Sequence, residues 1–93
     1  MSLQVRKDEV RSRYELVEDG DAVIGVAEYR VQGDLVVFDH TVIDEDRRAQ
    51  GLAAVLVQGA LDDVRLAGRK VVPVCWYVGQ FMDTHSGYAD LAA

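Results

Sequence analysis

The stretch Arg47-Arg48-Ala49-Gln50-Gly51-Leu52-Ala53 separates an apolar, strand-like run from an amphipathic helical run, and it constrains the fold more than any other part of the chain. On its N-terminal side, Leu35 to Ile43 reads as a strand. On its C-terminal side the period changes. Ala53, Leu56, Val57, Ala60, Leu61 and Val64 recur at helical spacing between Gly51 and Ala67, with Gln58, Asp62 and Arg65 outside the stripe and Gly68 as a stop. Lys70 to Val74 is a short apolar strand, and a right-handed crossover makes it the parallel neighbour of Leu35 to Ile43. Ligand crevices in such units lie at the carboxyl ends of the strands, which puts the 47–53 turn and Cys75 on one edge of the sheet. Small residues at Ala49, Gly51 and Ala53 let backbone amides approach an anion, and the following helix directs its positive end at the same spot. Arg47 and Arg48 stand just before that turn. The pattern reads as a cradle for the phosphates of a cofactor.

The rest of the chain supplies a meander and a cap. Met1 to Glu9 is polar and is expected to be loosely ordered, and Arg13 to Glu18 alternates as the first strand. Asp19-Gly20-Asp21 is a hairpin signal leading into Ala22 to Val31, and Gln32-Gly33-Asp34 leads into Leu35 to Ile43. Pro73 fits a strand at a sheet edge. Gln80 to His85 belongs to a second, shorter helix starting near Trp76 or Tyr77. The expected fold is α+β, mixed: a three-stranded antiparallel meander, a helix, a parallel strand and a short C-terminal helix. No repeat or linker divides residues 1–93, so one domain is expected.

Composition narrows the function. A 49% hydrophobic content suits one compact core, and no apolar run approaches the roughly 20 residues of a membrane span. The N-terminus is too polar for a secretory signal, so a cytoplasmic protein is expected. A net charge of −6 argues against broad binding to nucleic acid or anionic lipid. The single cysteine agrees with a reducing compartment. Asp44-Glu45-Asp46 reads as a solvated charge cluster with no His or Cys at ligand spacing, so no metal is expected.

Arg48-Ala49-Gln50-Gly51-Leu52-Ala53 also fits the acetyl-CoA signature of the GNAT superfamily of N-acetyltransferases: Gln or Arg, two free positions, Gly, one free position, then Gly or Ala. With His40-Thr41, Val71-Val72-Pro73-Val74-Cys75 and His85-Ser86-Gly87-Tyr88-Ala89-Asp90-Leu91, the chain resembles the short GNAT proteins of the YjdJ type. The resemblance implies acetyl-CoA as cofactor. Its pantetheine arm would enter a gap between the two parallel strands and meet backbone groups of Val42 and Ile43, while Arg48, Ala49, Gln50, Gly51, Leu52 and Ala53 hold the phosphates. Short members often carry Gly and a basic residue where this chain has Ala49 and Gln50, so one cation is missing. The chain shows no counterpart of the two N-terminal helices that wrap the acceptor in larger members, which leaves the acceptor site open or completed by a partner protein.

Two residues are catalytic candidates under that resemblance. Cys75 ends the last strand, where as thiolate it could take the acetyl group or as thiol protonate departing CoA; a free cysteine also packs as a small hydrophobe. His40 suits a base that deprotonates an amine, imidazole being the side chain that ordinarily titrates nearest neutrality, although a strand histidine can equally be structural. Asp39 is expected to face opposite to it. His85 reads as a helix C-terminal cap, and Tyr77 and Tyr88 as weaker proton donors that more readily close the core. Trp76 reads as packing or facing the cofactor. The leading expectation is an acetyl-CoA-dependent N-acetyltransferase acting on a primary amine, a cationic one being favoured by the acidic protein. The alternative is a non-catalytic CoA- or acyl-CoA-binding module. A redox sensor would lack a resolving cysteine.

Overall fold

The computed structural model describes residues 2–93, with the side chains of residues 48–50 outside that description. Five strands form one sheet in sequence order: β1 Leu3–Asp8, β2 Arg13–Glu18, β3 Ala22–Gln32, β4 Leu35–Ile43 and β5 Lys70–Pro73. The first four pair antiparallel, and β4 pairs with β5 in parallel. Helix α1, Leu52–Leu66, provides the crossover, and α2, Trp76–Thr84, follows β5. A 3-10 turn over Glu45–Gln50 precedes α1, and another over Ser86–Leu91 follows α2.

The α+β architecture agrees with the pattern of the sequence, with one strand more than expected. Residues 3–8 are a strand and not a loosely ordered segment, pairing from Leu3↔Glu18 to Asp8↔Arg13. The meander therefore has four strands. Backbone pairing holds β1 in place, and Leu3 and Val5 add partly buried contacts to the core. The turns match their residue chemistry. Asp19 and Gly20 both take positive φ between β2 and β3, and Gly33, at φ 61, opens the two-residue connection to β4.

The stripe of α1 expected from its spacing is the buried one, with Leu52 added and Ala53 only half-buried. Leu56, Val57, Leu61 and Val64 meet Leu16, Phe38 and Val71 of the sheet in a single core, which Val78, Phe81 and Met82 of α2 complete. Tyr14, Tyr29 and Phe38 pack ring to ring at 5.3 to 6.4 Å. The Tyr14 hydroxyl donates to Asp63 at 2.7 Å, tying β2 to α1, and burial pushes its phenol well above the ordinary range. Gly59 lets β1 approach α1, since a Cβ there would lie 2.6 Å from Cγ2 and 2.7 Å from Cβ of Val5.

The last 3-10 turn is clamped onto α1 and β5. Arg65 donates to the Asp90 carboxylate and to the Gly87 carbonyl, Tyr88 donates to Asp62 at 2.8 Å, and Ala93 N–H donates to the Val71 carbonyl at 3.0 Å. The opposite face of the sheet exposes Glu28, Arg30, His40 and Val42. On that face Glu15 is 3% exposed, because Arg6 and Arg13 close over its carboxylate with N–O distances of 2.9 to 3.2 Å.

Two outcomes test this packing. Gly59→Ala adds helix propensity worth about 1 kcal/mol, yet it must displace the Val5 side chain. A net loss of about 1–3 kcal/mol in urea unfolding is expected, smaller in a Val5→Ala background. For Glu15, the Arg6 hydrogen bond is the main cause holding its carboxyl below the ordinary value, burial opposes it, and Arg13 adds to the lowering. Its contribution is therefore present above the unfolded carboxyl pKa of about 4.3 and fades as pH falls through the lowered folded value. The stability gap between wild type and Glu15→Gln should narrow between pH 6 and pH 3; a constant gap would show that the pairing contributes nothing.

Candidate functional site

Pro73 ends the ladder between β4 and β5. The register runs from Leu35↔Lys70 to Phe38↔Pro73 and stops there, while β4 continues to Ile43 beside β3. Val74 N–H turns back onto the Val72 carbonyl at 3.2 Å, a three-residue turn with Pro73 at its centre, where a φ fixed near −65° belongs. Cys75 N–H then donates to the Phe38 carbonyl at 2.8 Å, and α2 begins. The two parallel strands thus part, and a cleft of about 180 Å³ opens between the end of β4, the first turn of α1 and the start of α2. Thr41, Ile43, Ala53, Cys75, Trp76 and Tyr77 line it.

Three of the residues singled out in the sequence, Ile43, Ala53 and Cys75, meet in this cleft. Val42 alternates to the other face and is half exposed. Leu52 sends its side chain into the core, so its amide is what it can offer a ligand. Gly51 takes φ 68 as both the C-cap of the 3-10 turn and the N-cap of α1. Among the described residues no side chain caps that helix, and its first turn holds no acidic residue. A Cβ at Gly51 would meet nothing within 4 Å, so within the protein its glycine is needed for backbone conformation alone. The side chains of Arg48, Ala49 and Gln50 lie outside the described residues; their backbone completes the 3-10 turn. Arg47 is ion-paired with Glu18 on β2, so part of its charge is spent within the fold.

His40 stands apart from the cleft. It pairs with Glu28 while the next register pair is Tyr29↔Phe38, so Asp39 is the extra residue of a β-bulge. Strict alternation would put Asp39 and His40 on opposite faces. The bulge instead leaves both on the outer face, where Asp39 accepts from Arg30 at 2.9 and 3.2 Å and His40 is exposed. The same bulge restores the inward direction at Thr41, part of the His40-Thr41 segment to which the sequence assigns no site role of its own. A pair of polar residues inside an apolar strand was the signal for it.

Cys75 is the N-cap of α2 and half-buried. Its Sγ lies 3.5 Å from Thr41 Oγ1. Burial pushes the thiol up, but the Thr41 hydroxyl, together with the amide dipoles of Val78, Tyr77 and Thr41, outweighs it and brings the group below an ordinary cysteine. Trp76 is 74% exposed at the cleft mouth, edge-on to Tyr77 at 5.9 Å, and burial pushes the Tyr77 phenol up. Tyr88 is committed to Asp62, away from the cleft. His85 caps α2: Nδ1 lies 2.8 Å from the Phe81 carbonyl and the ring stacks on Phe81 at 3.9 Å. Among the described residues no three ligating side chains cluster as a metal site would require.

A helix start beside a neutral slot with a lowered thiol can offer amides to an anion, a strand edge to an extended arm, and a sulfur to a reacting group. A family model described as GCN5-related N-acetyl-transferase matches residues 13–91. A comparison with curated proteins finds no match. Among solved structures the chain is similar to the NMR solution structure of a GCN5-like N-acetyltransferase candidate from Staphylococcus aureus, with TM-score 0.73 and 18% identity over 98% of this chain and 88% of that one. It is also similar to the crystal structure of the ribosomal-protein-S18-alanine N-acetyltransferase from Escherichia coli, with TM-score 0.61 and 20% identity over 72% of this chain and 43% of that one, less than half of that enzyme's length. At these identities the likeness is one of fold.

The conformational role of Gly51 is open to measurement. Gly51→Ala should cost about 1–2 kcal/mol in urea unfolding, the penalty of a left-handed alanine, and Gly51→Asn less. Equal stability of the three proteins would mean that the turn relaxes out of the left-handed region.

Proposed function

Because the chain belongs to the GCN5-related N-acetyltransferase family, we propose that it binds acetyl-CoA in the cleft between β4 and β5 and transfers the acetyl group to a primary amine. The observation that carries this reading is the parting of β4 from β5 beyond Phe38 and Pro73, with Cys75 and the first turn of α1 both lining the gap. Backbone groups of Val42 and Ile43 would hold the pantetheine arm, and amides from residues 48–53 the phosphates. The cofactor supplies an activated acetyl thioester. Cys75 has two roles open to it: its thiolate accepts the acetyl group, or its thiol returns a proton to the departing CoA sulfur.

His40 serves as base for an amine that arrives from the outer face of β4, across the strand gap from Cys75. That side is open, so a partner protein would complete the acceptor site there. The net charge of −6 favours a cationic acceptor by long-range attraction. A cytoplasmic location belongs to the same reading. Among the described residues no helix is long and apolar enough to cross a membrane. The position of His40 outside the cleft is also what favours a second reading, a CoA-binding module without turnover.

Calorimetric titration with acetyl-CoA, followed by a screen of amines for CoA release, tests both. Binding is expected, with Cys75→Ala lowering transfer about 10²-fold or more and His40→Gln removing from the pH–rate profile the acidic limb on which a base is lost to protonation. Absence of binding at millimolar acetyl-CoA would overturn the proposal. Binding that survives both substitutions, with no turnover in wild type, would select the module.

A further inference from the structure

Cys75 is held at two points by one strand. Its N–H donates to the Phe38 carbonyl at 2.8 Å, and its Sγ lies 3.5 Å from Thr41 Oγ1, three residues further along β4. Thr41 sits opposite Ala27 in the β3–β4 ladder and lines the same cleft, so its hydroxyl and the Cys75 sulfur share one wall. The neighbouring residue that would ordinarily activate a thiol, His40, is turned to the other face by the bulge at Asp39. Among the described residues lining the cleft none is charged, and the other titratable group is Tyr77, whose phenol burial keeps protonated.

We propose that Thr41 is the positioning residue of this site: its hydroxyl holds the Cys75 sulfur at the inner end of the cleft and sets the fraction present as thiolate. As a thiol, Cys75 donates S–H to Oγ1. On ionisation the proton passes to water and the Thr41 hydroxyl reverses to donate to the sulfur anion, supplying by a hydrogen bond the stabilisation that a histidine cation would otherwise give. The amides opening α2 act in the same direction. This inference rests on Cys75 being the reactive group proposed above.

The chain has a single cysteine, so alkylation by iodoacetamide reports one sulfur. Its rate is followed against pH in the whole protein for wild type, Thr41→Val and Thr41→Ser, alongside acetyl transfer by wild type and Cys75→Ala. Thr41→Val keeps the shape and removes the hydroxyl. Its alkylation midpoint should rise by about 0.5–1 pH unit, the size of one hydrogen bond, while Thr41→Ser restores it. If Thr41→Val fails to fold, Thr41→Ala asks the same question without a new methyl group in the cleft. A midpoint unchanged on loss of the hydroxyl, in a variant with wild-type circular dichroism and melting, overturns the role of Thr41. Unimpaired acetyl transfer by Cys75→Ala instead overturns the reading of Cys75, and the alkylation midpoint still decides what Thr41 does.

Discussion

The site depends on one backbone constraint, the tight turn centred on the fixed φ of Pro73. Proline ends the pairing at Phe38, folds Val74 back onto Val72 and delivers Cys75 to the start of α2. The cost of stopping a parallel ladder early is moderated by Cys75 N–H, which finds the Phe38 carbonyl, and by the C-terminal residues, which come back to Val71. The strand gap is therefore built by local chemistry in β5 as much as by the long crossover through α1.

β4 organises what enters that gap. One residue inserted at Asp39 moves the direction of everything after it: Thr41 and Ile43 face the cleft and His40 faces solvent. Charge is distributed to match. The cleft lining is neutral among the described residues, whereas ion pairs such as Arg30–Asp39 and the Arg6–Glu15–Arg13 group lie on the outer face. A weakly polar slot strengthens the dipoles that remain inside it, which is the setting in which a hydroxyl and helix amides can shift a thiol.

Much of this was legible in the residues. The stripe of α1, the glycine turns, the parallel pair and the nearness of the 47–53 turn to Cys75 all follow from periods and turn chemistry that depend on nearby residues only. β1 was not legible, since Leu3 and Val5 are too few apolar positions for a pattern, and its stability comes from backbone pairing with a strand that the sequence does not mark as its partner. The bulge escaped for a related reason. Val36, Val37 and Phe38 are all apolar, so the face cannot be tracked through them, and an extra residue shows only as two polar neighbours, Asp39 and His40. Thr41 has no site role in the sequence as a consequence. His85 reads as a helix cap and bonds the Phe81 carbonyl, and Tyr88, read as a weaker proton donor or a residue closing the core, is bonded to Asp62.

The return of the chain past β5 also bears on how the protein behaves in a crowded solution. Ala92 and Ala93 sit along the outer margin of β5, where Pro73 already offers no donor, so a foreign strand finds little to join there. The other margin, β1, presents Gln4, Arg6, Lys7 and Asp8, polar and charged side chains that a second sheet would have to desolvate. A five-stranded sheet with one face bare of helices is thereby guarded against aggregation at both sides.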